Sequence, residues 1–172
     1  MAEMNLQVEI NQIQKGDRDA FARVYQQLKQ PVYTICYRIT QSKETAEDIA
    51  HDVFVKLFAS PPDSSVKNIR AWIFQMARNL AIDALRRKSH IAEQDEKRII
   101  EDEYSHIHLR MDLETALGKL PCDEREILTL HLNADLSFKD ISGIIGLSLP
   151  ATYRKYRKAL KHMQEELNGG IL

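Results

Sequence analysis

The sequence predicts an all-α chain: two small helical domains joined by a linker, the second containing a helix-turn-helix. Three observations carry this. The 172 residues include only 6 glycines and 5 prolines, against many Leu, Ile, Ala, Glu, Lys and Arg, a composition that favours helix. Apolar residues recur three and four apart through most of the chain, the spacing of one helical face. That pattern lapses over residues 90–111, which are charged and carry no sustained apolar stripe. The expected division is therefore a domain over 1–89, an acidic linker over 90–111 and a second domain over 112–172. A hydrophobic content of 44% suffices for a core in each.

A first short helix spans residues 5–15 and stops at Gly16. Asp17 is a good N-cap for Arg18–Lys29, whose apolar positions are Phe21, Val24, Tyr25 and Leu28. Pro31 opens the next helix, which carries Val32, Ile35, Cys36 and Ile39. Ser42 caps Lys43–Phe58, with Ala46, Ile49, Ala50, Val53, Phe54 and Leu57 as its core face. The opposite face holds Glu47, Asp48, His51, Asp52, Val55 and Phe58. It is strongly negative yet includes two apolar residues, which suits a basic, partly apolar protein partner. The bland alternative is an ordinary solvated face. The breaker SPPDSS, Ser60–Ser65, ends this bundle segment.

The next helix, Ile69–Arg87, is apolar nearly all round. Ile69, Trp72, Ile73, Met76, Ala77, Leu80 and Ala84 form one face. Phe74, Ile82 and Leu85 lie opposite, interleaved with Arg70, Arg78, Asn79 and Arg86. Such a helix is either buried or has a second surface to meet. Arginines between aromatic residues suit nucleic acid, by neutralising phosphate and stacking on unpaired bases. Asp83 lies near the core stripe and reads as a paired structural carboxylate. Trp72, at the edge of that stripe, reads as structural support.

Regular structure resumes at Asp112, with a helix to Leu120 and another from Pro121 to about Asn133. Ser137 and Asp140 form a capping arrangement for a third. Ile141 and Ile145 face inward, Gly146 supplies a left-handed corner and Leu147 plugs it. Ser148 or Leu149 caps the last helix, with Pro150 in its first turn. Spacing and turn chemistry together are those of a helix-turn-helix. Tyr153, Arg154, Arg157 and Lys158 on its second helix are available to a major groove. A plain helical hairpin is the alternative. Gly169-Gly170 marks a loose C-terminus.

A net charge of -1 argues against general affinity for nucleic acid, but the charges are segregated. Lys67, Arg70, Arg78, Arg86, Arg87 and Lys88 form one basic cluster, and Arg154, Lys155, Arg157, Lys158 and Lys161 another. Glu93, Asp95, Glu96, Glu101, Asp102 and Glu103 lie between them. That pattern points to two DNA-contacting modules and a spacer. Cys36 and Cys122 read as buried, reduced thiols. Asp48 and Asp52 are one turn apart, but no Glu-x-x-His on another helix completes a metal site. No metal, cofactor or catalytic residue is therefore expected. The absence of a signal peptide or long apolar run predicts a soluble, cytoplasmic protein without membrane insertion.

Residues from about Gly16 to Leu167 resemble a bacterial RNA polymerase sigma factor of the extracytoplasmic-function (ECF) group. GDRDAFARVY resembles the start of that family's first domain, and AEDIAHDVFVKLF its helix that grips the polymerase clamp. IRAWIFQMARNLAIDALRR resembles the helix that melts and reads the minus-ten promoter element. LPCDEREILTLHLNADLSFKDISGIIGLS resembles the second domain leading into its helix-turn-helix, which reads the minus-thirty-five element. The resemblance implies polymerase contacts at Asp48, His51, Asp52 and Val55, and minus-ten contacts at Arg70, Asn79, Arg86 and Arg87. It implies minus-thirty-five contacts at Tyr153, Arg154, Lys155, Arg157 and Lys158. Core RNA polymerase, promoter DNA and an anti-sigma factor are the implied partners. Two departures stand out: His51 replaces the family's usual Gln, and Pro150-Ala151-Thr152-Tyr153 replaces its common Gly-Thr-Val-Lys. The second bears on DNA sequence preference.

The expected function is a non-catalytic sigma factor directing core polymerase to a subset of promoters. Anchoring two weak DNA modules on polymerase raises their effective concentration at the promoter. The acidic linker is expected to mask DNA surfaces in the free protein. The rival reading is a helix-turn-helix regulator that binds duplex DNA without joining polymerase. A third is a metal enzyme built on Asp48, His51 and Asp52.

Overall fold

The computed structural model describes residues 5–92 and 108–169. Eight helices follow in chain order, with no strand among the described residues: α1 (Leu6–Gln14), α2 (Arg18–Thr40), α3 (Lys43–Ala59), α4 (Ile69–Ala92), α5 (His108–Lys119), α6 (Cys122–Leu132), α7 (Phe138–Ile145) and α8 (Leu149–Gly169). In the first module α2 is the central helix, packed on α1, α3 and α4. In the second, α8 packs on α5, α6 and α7. Helix α4 continues to Ala92 and α5 begins at His108, so both reach into the stretch read as linker. Residues 93–107, which carry the acidic run Glu93–Glu103, lie outside the described residues.

The helix ends are written in short polar side chains. Asn5, Asp17, Ser42 and Ser137 each accept amide hydrogen bonds from the first turn they cap, removing donors that would otherwise lack partners. Two separate helices expected over 18–40 are one helix of 23 residues with Pro31 inside it. Proline withholds its N–H from the carbonyl four residues back, that of Gln27. Gln27 is exposed, so water can take that bond, while Leu28, Val32 and Ile35 on either side are fully buried. Packing thus outweighs the local break. Gln41 then ends α2 in the left-handed conformation, φ 52°.

Other expectations need correction. Phe74 is fully buried, as are Ile73, Ala77 and Ala81, whereas Met76 and Leu80 are half-buried. Ile69, Ile73 and Ala77 are thus core as read, and Phe74, read on the opposite surface, is buried beside them. Asp83 is not near the core. Its side chain is 59% exposed, and the Arg86 guanidinium lies 3.9 Å away on the same helix. In α7 the buried partner of Ile141 is Ile144, with Ile145 half-buried. Cys36 is buried but Cys122 is exposed, at the start of α6. Trp72 is half-buried against the core, as its position on the helix implied.

The two modules are not held apart. Ile127, Leu130, Ala134, Leu136, Ile141 and Ile144 of the second belong to one continuous apolar cluster with the core of the first. Helix α2 packs on α6, and α4 on α7. A smaller core private to the second module joins Ala116, Leu117, Leu120, Leu128, Ala159 and Met163.

Candidate functional site

Three surfaces carry the predicted residues. On α3, Asp48, His51, Asp52 and Val55 follow at i, i+3, i+4 and i+7, which places them on one face. All four are exposed, with Val55 at 49%. Their orientation follows from the opposite face, where Ala46, Ile49, Val53, Phe54 and Leu57 are buried. Beside this strip the rings of Phe58, Phe21, Tyr25 and Phe54 make edge and tilted contacts at 4.8–6.3 Å between centroids. An acidic strip thus borders an aromatic one. No cluster of three or more His, Cys, Asp or Glu among the described residues could hold a metal ion.

On α4, Asn79, Arg86 and Arg87 are exposed. Asn79, Asp83 and Arg86 fall at i, i+4 and i+7, so the carboxylate sits between an amide and a guanidinium on one strip. Arg87 Nε donates to the Asp83 carbonyl at 3.3 Å. Arg70 stands apart from this group: its Nη1 donates to the Ala134 carbonyl at 3.1 Å, across to the second module. Arg78 does the same, donating from Nε and Nη2 to the two carboxylate oxygens of Glu126. Glu126 is 6% exposed in its side chain. Burial pushes its carboxyl above the ordinary glutamate range, and Arg78 opposes that rise.

The helix-turn-helix has the predicted corner. Gly146 takes φ 71° and Leu147 N–H donates to the Ser142 carbonyl at 3.1 Å. Ser148 is the cap of α8, accepting from Ala151 N–H at 3.3 Å. Tyr153 stands half-exposed with its ring edge on Phe138, 5.4 Å between centroids. Phe138 in turn stacks on His131, whose Nδ1 lies 3.0 Å from the Leu136 carbonyl. Arg154 and Arg157 are exposed. Lys155 and Lys158 turn back to α6, where they meet Asp123 and Glu124, the latter at 3.3 Å. The Lys155 ammonium holds the Asp123 carboxyl below its usual range.

Sequence reasoning missed Arg38, near the end of α2. It is buried, with Nη1 donating to Thr129 Oγ1 at 3.2 Å and to Asn133 Oδ1 at 2.7 Å. Its Nη2 donates to Glu114 Oε1 at 2.7 Å. The available signal was an arginine set between Ile35 and Ile39 on a buried stripe. Its partners, more than seventy residues away, left no local trace.

Comparison with known proteins places both modules. Residues 24–91 match the family model for sigma-70 region 2, and residues 110–163 that for sigma-70 region 4. The ECF RNA polymerase sigma factor SigW of Bacillus subtilis (strain 168) is 25% identical over 183 residues, covering 96% of this chain and 98% of SigW. SigM of the same organism is 26% identical over 132 residues, covering 73% and 81%. Among solved structures, the chain is similar to the sigma factor RpoE in complex with the anti-sigma factor NepR from Bartonella quintana. That match has a TM-score of 0.71 and 21% identity, and covers 86% of this chain and 96% of RpoE. CnrH in complex with the cytosolic domain of CnrY matches with a TM-score of 0.66 and 19% identity, over 94% and 96% of the two chains. At these identities the two structures speak to the fold.

Proposed function

The chain belongs to the ECF group of the sigma-70 family, and from that premise we propose how its surfaces divide the work of promoter recognition. It is a sigma factor that binds core RNA polymerase and directs transcription initiation. Asp48, His51, Asp52 and Val55 of α3 form the polymerase contact, acidic and partly apolar against a basic, partly apolar face. The observation that carries this assignment is that all four are exposed on one strip while Ala46, Ile49, Val53, Phe54 and Leu57 on the opposite face are core. Electrostatic complementarity of that kind governs encounter rate and register.

Asn79, Arg86 and Arg87 face minus-ten DNA, with Asn79 meeting an unstacked base and the arginines the backbone. Asp83 holds Arg86 in reach from the same helix. Arg70 joins them once its bond to Ala134 is released. On α8, Tyr153, Arg154 and Arg157 read the minus-thirty-five element, and Lys155 and Lys158 act at its edge. The domain division follows the three segments 1–89, 90–111 and 112–172. The protein performs no bond chemistry of its own; strand opening draws on the capture of unstacked bases. No helix among the described residues is long and apolar enough to cross a membrane, and we place the protein in the cytoplasm with polymerase. RpoE is seen bound to the anti-sigma factor NepR, which supports an anti-sigma partner here.

The test is retention of core polymerase by Asp48→Lys with Asp52→Lys. Both side chains are exposed, so the fold should survive and thermal unfolding should be unchanged. Retention should fall at least ~10-fold, the equivalent of about 1.4 kcal/mol. Undiminished retention contradicts the assignment of this face and favours a helix-turn-helix regulator that works without polymerase.

A further inference from the structure

The start of α8 is apolar on a helix that is otherwise basic. Leu149 and Tyr153, four residues apart and so on one strip, are 48% and 50% exposed. Arg154 and Arg157 stand exposed beyond them, while Thr152, next to Tyr153, turns inward and is fully buried.

The Tyr153 ring is exposed, yet it is not loose. It crosses the Phe138 ring at 88°, with 5.4 Å between centroids. Phe138, the first residue of α7, is itself held from two sides. It stacks on the His131 imidazole of α6 at 4.5 Å and 24°, and meets the Tyr156 ring of α8 at 4.9 Å. His131 is fixed in turn: its Nδ1–H donates to the Leu136 carbonyl at 3.0 Å, and its ring meets Tyr156 at 5.1 Å. Rings from three helices thus converge, and Tyr153 is the exposed member of the group.

We propose that Tyr153 is a specificity-determining residue that reads a thymine of the minus-thirty-five element through its C5-methyl group, and that Phe138 and His131 are positioning residues that set its ring for that contact. The inference deepens the sigma-factor reading and rests on it. Residues near the start of a recognition helix are those that reach base edges. A neutral ring cannot neutralise phosphate, so the charged contacts fall to Arg154 and Arg157. On the floor of the major groove the apolar group open to a ring is the thymine methyl. A ring already ordered in the free protein loses little freedom on binding. Its fixed angle also decides which base step it meets, so the packing behind it acts on sequence preference.

The test uses holoenzyme, core polymerase with the full chain, on a genomic fragment that yields a run-off transcript. Each thymine of its minus-thirty-five element, on either strand, is replaced singly by deoxyuridine, which removes the methyl and keeps the base pair. With wild type, one replacement should lower transcript yield about fourfold, the weight of one buried methyl. Tyr153→Phe should keep that ratio. Tyr153→Ala should transcribe the thymine and uracil templates equally. Phe138→Leu retains an apolar side chain but removes the ring, and its ratio should fall below that of wild type, whereas Phe138→Tyr should hold it. His131→Ala should behave as Phe138→Leu does. A merely structural role would change yield on both templates alike and leave the ratio where it was.

A wild type indifferent to every replacement overturns the proposal. So does a Tyr153→Ala variant that loses yield but keeps the wild-type ratio, the result expected if this ring docks a protein partner. Tyr153 is half-exposed, so that variant should fold and decides the reading even where Phe138→Leu or His131→Ala loses helix by circular dichroism. Folded Phe138→Leu and His131→Ala with the wild-type ratio overturn the positioning role. No transcript from any fragment overturns the sigma-factor reading and this inference with it, whereas transcripts insensitive to the methyl overturn this inference alone.

Discussion

Cys36 and Cys122 have the same side chain and opposite surroundings. Burial in the α2 core pushes the Cys36 thiol up to about 12, whereas Cys122 is exposed at the start of α6. The thiolate is the reactive form. At pH 8 iodoacetamide should therefore modify Cys122 and leave Cys36 intact until the protein is denatured, which mass spectrometry of the intact chain would show. Two rapidly alkylated thiols in the native protein would contradict the packing of α2. The sequence made Cys36 legible, since it falls beside Ile35 and Ile39 on a periodic stripe. Cys122, next to Pro121 at a helix start, has no stripe to place it. Charged residues were legible to the same degree. Asp48 and Asp52 lie opposite a clear core face and are exposed as the pattern required. Arg38, Arg78 and Glu126 are settled by partners far along the chain, which no local pattern encodes.

At the scale of elements, caps and breakers were the readable features. Ser42, Ser137 and Ser148 cap where their spacing predicted. Pro31 was misread because a local break is weighed against packing on both sides of it, and the packing is visible only in three dimensions. Helix α4 carries both lessons. Its all-round apolar character was plain, but the second apolar face reads equally as a ligand surface or as a contact within the chain. The two glycines of the α7 segment offer a paired test. An added Cβ meets nothing within 4 Å at either Gly143 or Gly146. Gly146 has φ 71°, whereas Gly143 is helical. Gly146→Ala should cost about 1–2 kcal/mol, the penalty of the left-handed region. Gly143→Ala should gain up to about 1 kcal/mol in helix propensity. Urea unfolding of both variants checks the opposite signs, and equal effects would contradict the turn geometry.

At the scale of the molecule, the order of motifs was the strongest signal. The acidic helix, the arginine-rich α4 and the helix-turn-helix succeed one another as in the family to which the chain belongs, and both sigma-70 regions match in that order. The closeness of the modules was not legible. A charged stretch between two apolar segments looks like a spacer, and whether the segments it joins also meet depends on surfaces such as the Ile127 and Phe74 faces. Run-off transcription with purified core polymerase on fragments of the source genome tests sigma-factor function most directly. The account predicts discrete transcripts that require the protein and disappear with Asp48→Lys and Asp52→Lys. The absence of any protein-dependent transcript, with wild type added to active core polymerase, would contradict it.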